Sequence, residues 1–492
     1  MNNPSGNTMA DVSVVIIGAG LSGICAAYHM QQRCPDRSFR VIEARDNIGG
    51  TWDLFKYPGI RSDSDMYTFG YNFKPWTAEK AIAPADTILK YMQETVDKNG
   101  LQSKISFGTR LISADWDSES SRWRLTLEST HNAQREEVSC DFLFCCTGYY
   151  RYSKGYTPDF PGVERYRGTV VHPQNWPESL DCAGKRVTII GSGATAVTLA
   201  PTLAKSGAKI TLLQRSPTWI MSMPDSGSRL FRFLPDRLAH ALVRWRNIVM
   251  FMVFYQLSKR KPEIVKRLLL KSVKQQLRGA ADMKHFTPGY EPWDQRVCLV
   301  PNGDLFKAIR NGDITMVTDH IEAFDETGIR LESGERIDSD IVITATGLTV
   351  EVLGGASVSV DNKPIDWTEK YMYKGTLLND VPNFAFATGY TNASWTLKTE
   401  LVAKYVCRLL NHMERNQFAE CTARLPDEGI EQVPLIDLQS GYVLRANNVL
   451  PKQGNKRPWR LYQNYLLDRI ALSIGKIDDD TLHFERQPQT EV

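Results

Sequence analysis

Two glycine-rich turns occupy matching points of this chain, Gly18-Ala-Gly20-Leu-Ser-Gly23 and Gly191-Ser-Gly193-Ala194-Thr195-Ala196. The first glycine of such a turn permits a tight bend, and the second lets backbone approach a pyrophosphate. The third, or an alanine in its place, allows close packing of helix on strand. A helix that opens there offers unpaired N–H groups to phosphate oxygens. Glu43, 20 residues after Gly23, is placed to accept hydrogen bonds from a ribose. After the second turn the matching position has no acid and reads Gln214-Arg215-Ser216. A carboxylate there would repel a 2′-phosphate, whereas an arginine can fork onto it. The first turn is therefore expected to hold FAD and the second NADPH. Taken singly, each turn is also compatible with a structural bend, and Arg215 with a solvated strand end.

These groups need elements to position them. Residues 12–17 are rich in β-branched types and read as a buried strand, 21–33 as a helix stopped before Pro35, and 39–44 as a second strand. The pattern returns at 186–190 (strand), 194–205 (helix) and 209–213 (strand), with further strands at 314–317 and 340–343. A long helix is expected around 397–413. The fold class is α/β: two doubly wound, Rossmann-like dinucleotide domains, with a helical insert in the second. The expected division is an FAD-binding part over 1–150 and an NADP-binding part over 151–221. A helical insert follows over 222–292, then the rest of the NADP domain over 293–348 and of the FAD domain over 349–492.

Composition narrows the function classes. With 492 residues, 23% charged and 42% apolar, the chain is globular and long enough for roughly two to four domains. A net charge of +3 implies no nucleic-acid partner. Nine cysteines form neither a zinc array nor a disulfide scaffold and read as reduced and cytosolic. The polar start lacks the features of a signal peptide. The longest apolar run, 248–255, is far short of the roughly 20 residues a membrane-spanning helix needs.

The segment Gly49-Gly50-Thr51-Trp52-Asp-Leu-Phe-Lys-Tyr57-Pro58-Gly59-Ile-Arg-Ser-Asp63 resembles the long fingerprint of type I Baeyer–Villiger monooxygenases at every fixed position. Tyr166-Arg-Gly168-Thr-Val-Val-His172-Pro-Gln-Asn-Trp176-Pro177 is similar to their shorter one, with tyrosine where phenylalanine is usual. The resemblance runs from about residue 12 to about 484. It looks closest to the subgroup of ethionamide-activating and long-chain alkane monooxygenases, through stretches such as Trp293-Asp-Gln-Arg-Val-Cys-Leu-Val-Pro301 and Gly389-Tyr-Thr-Asn-Ala-Ser-Trp395.

That resemblance implies insertion of oxygen beside a ketone, giving an ester or lactone, at the expense of NADPH and O₂. Sulfide oxidation is implied as a side activity, and aliphatic, fairly long ketones as substrates. It implies that Arg296 stabilises a flavin peroxide anion and that Asp63 positions Arg296. Gly50, Thr51, Trp52 and Asp63 would lie against the flavin. His172 would have a positional role between the nucleotide domains. The commoner family pattern has Lys-Arg where this chain has Gln295-Arg296, and that lysine helps to bind the 2′-phosphate, so the strength of NADPH preference stays open. A monooxygenase acting on sulfur or nitrogen is the alternative, which Trp176-Pro177 disfavours. A membrane-bound, non-oxygenating flavoprotein is the more distant one.

Two features compete for other readings. Cys140 and Cys145 have the spacing of a redox pair. On a strand, however, they would lie roughly 16 Å apart on opposite faces, beyond the about 7 Å between Cα atoms that a disulfide allows. The histidines show no metal-ligand spacing, and no metal is expected. Residues 229–278 carry 13 Lys/Arg against 2 Asp/Glu, a net +11, interleaved with Leu230, Phe231, Phe233, Trp245 and Phe254. Two readings stay open: helices that cover the NADPH domain with a solvated basic face, or an interfacial surface for an anionic membrane.

Overall fold

Two sheets organise the chain, a larger mixed one and a smaller one that is parallel throughout. The computed structural model describes residues 10–226 and 234–486; Leu230, Phe231 and Phe233 of the basic stretch lie outside them, as does the polar start 1–9. The larger sheet has nine strands. Its centre is Ala10–Ile17, parallel to Phe39–Ile42 on one side and to Arg135–Cys145 on the other. Val14, Val15 and Ile16 are wholly buried, because helices and loops cover both faces, which explains the run without polar alternation. Late strands Ser357–Val360 and Phe384–Phe386 join the same sheet, so it draws on strands far apart in the chain. The second sheet has five parallel strands in the order Ile314–Thr318, Lys209–Gln214, Arg186–Ile190, Ile341–Thr344 and Thr169–Val171.

Helices Leu21–Arg33 and Ala194–Lys205 span the expected residues. The long helix is Trp395–Arg415, longer by two residues at each end than the apolar pattern alone marks. Phe39–Ile42 stops two residues early, because the Glu43 carboxylate accepts the N–H groups of Ala19 and Arg45 and turns the chain out of the ladder. Cys140 and Cys145 are free, but they do not point to opposite faces. Both enter one core cluster with Trp123 and Leu143. Between them the strand exchanges its antiparallel neighbour Arg122–Ser129 for Phe384–Phe386, and the alternation slips there.

The basic stretch forms a helical hairpin, Asp236–Arg260 and Pro262–Leu277. Its root is a parallel ribbon of Ile220–Met223 and Cys298–Pro301, so a strand crosses the expected insert boundary at 222. The second helix covers the second nucleotide unit, with Val265 and Leu269 packed beside Trp219 and Trp293. The first helix does so only toward its C-terminal end, where Phe254, Tyr255 and Leu257 join the same cluster. It crosses to the first unit, where Arg244 Nη1 donates to the carbonyls of Tyr67 (2.6 Å), Thr68 (3.3 Å) and Gly70 (2.7 Å). These are end carbonyls of the short helix Met66–Phe69, which have no intrahelical partner and attract a cation. Asn247 donates to Asp65, the N-cap of that helix, at 2.9 Å. A covering for the second unit alone is therefore only half of what the hairpin does.

His240 lies buried at this junction, with its ring 5.6 Å from that of Tyr67 and Nε2 unpartnered. Burial, with the Arg244 charge second, holds its pKa down from 6.5 to about 4. An unfolded chain takes up this proton near pH 6.5, whereas the folded chain resists until about pH 4. Stability should thus fall as pH drops through that window. His240→Leu should flatten the fall in melting temperature between pH 7 and 4.5; a slope identical to wild type would remove His240 as a cause.

Candidate functional site

Between the carboxyl ends of the parallel strands of the two sheets lies a cavity of about 1290 Å³, reached by both glycine turns. Strand ends, turns and helix starts meet there, as they do at the ligand crevices of open α/β sheets. At the first turn, Gly18 has φ +101° and a Cβ on it would meet the Cys146 carbonyl oxygen at 2.8 Å. A Cβ on Gly23 would sit 1.7 Å from the Gly18 oxygen. Gly20 differs: a Cβ there would find nothing closer than the Gly50 Cα at 3.6 Å. The second turn repeats this division. Gly191 (φ +134°) is held against Ala345, Ala196 is fully buried in the place of the third glycine, and Gly193 has open space. Protein packing therefore explains the outer positions of each turn but not Gly20 or Gly193, both of which border the cavity.

Gly20 and Gly193 are also the N-caps of their helices, and neither helix has a capping side-chain bond or an acid in its first turn. The leading N–H groups are left for an external anion. Glu43 is buried at the cavity edge; Oε2 accepts from Ala19 N at 2.6 Å and Oε1 from Arg45 N at 2.9 Å. Burial raises its pKa, and the two N–H bonds oppose the rise. Each oxygen keeps a second lone pair for a hydroxyl donor. Gly50, Thr51 and Trp52 line the same lobe, with Trp52 edge-on to Phe69. These residues, and the cavity's size, fit a flavin dinucleotide.

Arg215 and Ser216 are exposed on the other lobe, where the Ser216 carbonyl accepts from Ser192 Oγ at 3.1 Å. Ala194 and Thr195 lie beside them at the helix start. Sequence reasoning missed Asp319, His320 and Glu332 on this lobe. Asp319 directly follows the strand paired with Lys209–Gln214, and no local motif announces that pairing. His172 stands apart from the cavity lining. Nδ1 accepts from Gln174 N, so Nε2 donates to the Gly347 carbonyl at 3.1 Å and ties two loops of the second unit.

Between the lobes, Arg296 Nη2 lies 3.2 Å from Asp63 Oδ2. The two come from different units. Asp63 is held by its neighbours: Ser62 N bonds Ala83 O at 2.8 Å, and Arg61 pairs with Asp304 at 2.6 Å. The Arg296 side chain is 32% accessible because it faces the cavity. Burial alone would lower its pKa, but the Asp63 carboxylate beside it holds it above the ordinary value. The phenols of Tyr149, Tyr442 and Tyr150 are themselves raised by burial and stay protonated. Tyr149-Tyr150 follows the strand Arg135–Cys145 across a glycine, a placement that could have drawn notice; Tyr442, almost 300 residues later, carries no such cue. No group of acids, cysteines and histidines among the described residues could hold a metal ion.

Residues 11–377 match the family described as flavin-binding monooxygenase-like. The chain belongs to that family. As a member of that family it is an enzyme, a flavin monooxygenase. It is 49% identical over 482 residues to the FAD-containing monooxygenase EthA of Mycobacterium tuberculosis, covering 97% of this chain and 98% of that protein. It is 47% identical over 487 residues to the probable FAD-binding monooxygenase AlmA of Acinetobacter baylyi, covering 97% of each. An oxidized steroid monooxygenase bound to NADP shares the fold, with TM-score 0.77 over 97% of this chain and 100% of that one at 21% identity.

The two kinds of glycine in the first turn separate experimentally. Gly23→Ala should prevent folding, since its methyl would overlap backbone. Gly20→Ala should leave the flavin-free protein as stable as wild type, while flavin content after purification falls several-fold. An equal loss of flavin-free stability in both variants would make Gly20 a packing residue.

Proposed function

We propose that this flavin monooxygenase binds FAD at Gly18, Gly20, Gly23 and Glu43 and NADPH at Gly191, Gly193 and Arg215, and that it oxidises ketones to esters or lactones. The FAD domain would comprise residues 1–150 and 349–492, and the NADP domain 151–221 and 293–348. The observation that carries the reading is the Arg296–Asp63 pair at 3.2 Å, set between the two turns in one cavity.

A bound flavin would supply the two-electron activation of O₂. The residues supply position and field. Arg296 presents a fixed guanidinium where negative charge on oxygen must be stabilised, both before attack on a carbonyl and in the adduct. Asp63 orients that guanidinium from one side and leaves its other N–H donors for the reacting oxygens. Tyr149, Tyr150 and Tyr442 remain neutral, so they add hydrogen-bond donors without adding anionic charge. Their rings and Trp395 narrow the space around the arginine, which favours exclusion of water. Aliphatic ketones are the preferred substrate class, with sulfides as softer side substrates.

Product analysis under ¹⁸O₂ with NADPH, a series of linear ketones and a matched sulfide tests the reaction. One labelled oxygen in an ester is the expected result; labelled sulfoxide with no ester from any ketone would assign a heteroatom oxygenase instead. Arg296→Ala should keep flavin and its reduction by NADPH yet lose ester formation by about 10²–10³-fold. Undiminished ester yield would exclude Arg296 from the chemistry. Separately, Arg215→Ala should raise KM for NADPH several-fold more than KM for NADH. Equal changes would remove Arg215 from recognition of the 2′-phosphate.

A further inference from the structure

The helix Asp236–Arg260 is apolar on two opposite faces. One buries His240, Val243, Asn247 and Ile248 against the first unit. On the other, Leu238 (48% exposed), Leu242 (39%), Val249 (47%) and Val253 (59%) recur at intervals of four, seven and four residues. That spacing puts all four on one side of the helix. A second ridge, Leu466, Ile470 (57%) and Ile474 (75%), lies on the C-terminal segment at four-residue intervals. The ridges adjoin: Trp245 of the first helix meets the Tyr465 ring at 5.8 Å and the Arg469 guanidinium at 5.2 Å. Of the 14 large apolar side chains exposed among the described residues, 11 fall within 234–268 and 466–474. Such clustering is unlike the scattered exposure of an ordinary surface.

Basic side chains border this patch. Arg260, Lys261, Arg267, Lys271 and Lys274 are exposed, and none makes an ion pair among the described residues. Asp236 and Glu263 are the acids of the hairpin, and Glu263 is paired with Lys266 at 2.8 Å. No helix among the described residues is long and apolar enough to cross a membrane. Apolar ridges rimmed by cations on a helix too polar to span suit a surface that lies in the headgroup region of a bilayer.

We propose that the outer face of Asp236–Arg260, the basic helix Pro262–Leu277 and the ridge of Leu466, Ile470 and Ile474 form one docking surface for an anionic lipid bilayer. The inner face of the same helix bears on the active region. Ile248, Phe251 and Met252 close a small crevice with Tyr390, and Tyr390 also lines the large cavity. Docking would bring that wall of the enzyme to the lipid. The proposal does not depend on which substrate is oxidised, so its failure would leave the functional reading untouched.

Flotation of the flavin-loaded, full-length protein with vesicles of phosphatidylglycerol and phosphatidylcholine tests it. Binding is expected at low salt, weaker at high salt, and much weaker to phosphatidylcholine alone. The double variant Val253→Asp/Ile470→Asp should lower the bound-to-free ratio by about tenfold or more while flavin content and sedimentation stay those of wild type. Recovery of wild type in the supernatant at low salt, equal binding to neutral vesicles, or undiminished binding of the variant would each overturn the proposal. Self-association of wild type that the variant abolishes, with no vesicle binding by either, would assign the face to a second copy of the chain.

Discussion

The N–H groups that open helices Leu21–Arg33 and Ala194–Lys205 have no side-chain cap, and this deficit orders the centre of the molecule. Uncapped N–H groups cost stability unless water or a ligand meets them, and here they are aimed into one cavity by strands that end beside them. Parallel sheets make the placement unavoidable, because each strand delivers its carboxyl end and the next helix start to the same edge. Two such sheets, with strand ends at one cavity, give a single space with two anion-seeking ends. Gly20 and Gly193 keep those ends open, since a Cβ on either would meet no protein atom closer than 3.6 Å.

The proposed chemistry falls between the lobes. Arg296 and Asp63 belong to different units, so their contact exists only when the units are assembled. A guanidinium beside a carboxylate, with three half-buried phenols around it, is a fixed positive centre that needs little rearrangement to meet charge on oxygen. The phenols matter through what they withhold. Burial keeps them neutral, so the arginine faces hydrogen-bond donors instead of additional anions.

The hairpin illustrates how one element serves two solvents. Its first helix carries Arg244 inward to end carbonyls of Met66–Phe69, where a cation replaces the missing intrahelical donors. The same helix turns Val249 and Val253 outward. A sequence scan sees only a basic, apolar stretch, because the two apolar faces blur any simple periodicity. Which arginine is structural and which is free is a matter of what the helix packs against.

Local chemistry made the α/β class, both glycine turns and most element bounds legible. Strand, turn and helix start are contiguous in the chain, and their residue types answer to backbone geometry within a few positions. Glu43 and Arg215 were readable for the same reason, since each follows its turn at a spacing set by one βαβ unit. Arg296 and Asp63 were named through resemblance to a family; nothing in their own neighbourhoods joins them across 233 residues. Only the tertiary structure brought Tyr442 to Arg296, Asp319 to the lobe of Arg215, and Arg244 to the carbonyls of another unit. Those contacts are long-range, decided by how sheets and helices bury their faces together. A slip of that kind also turned Cys140 and Cys145 toward one core: the alternation of a strand holds only while its neighbours stay the same.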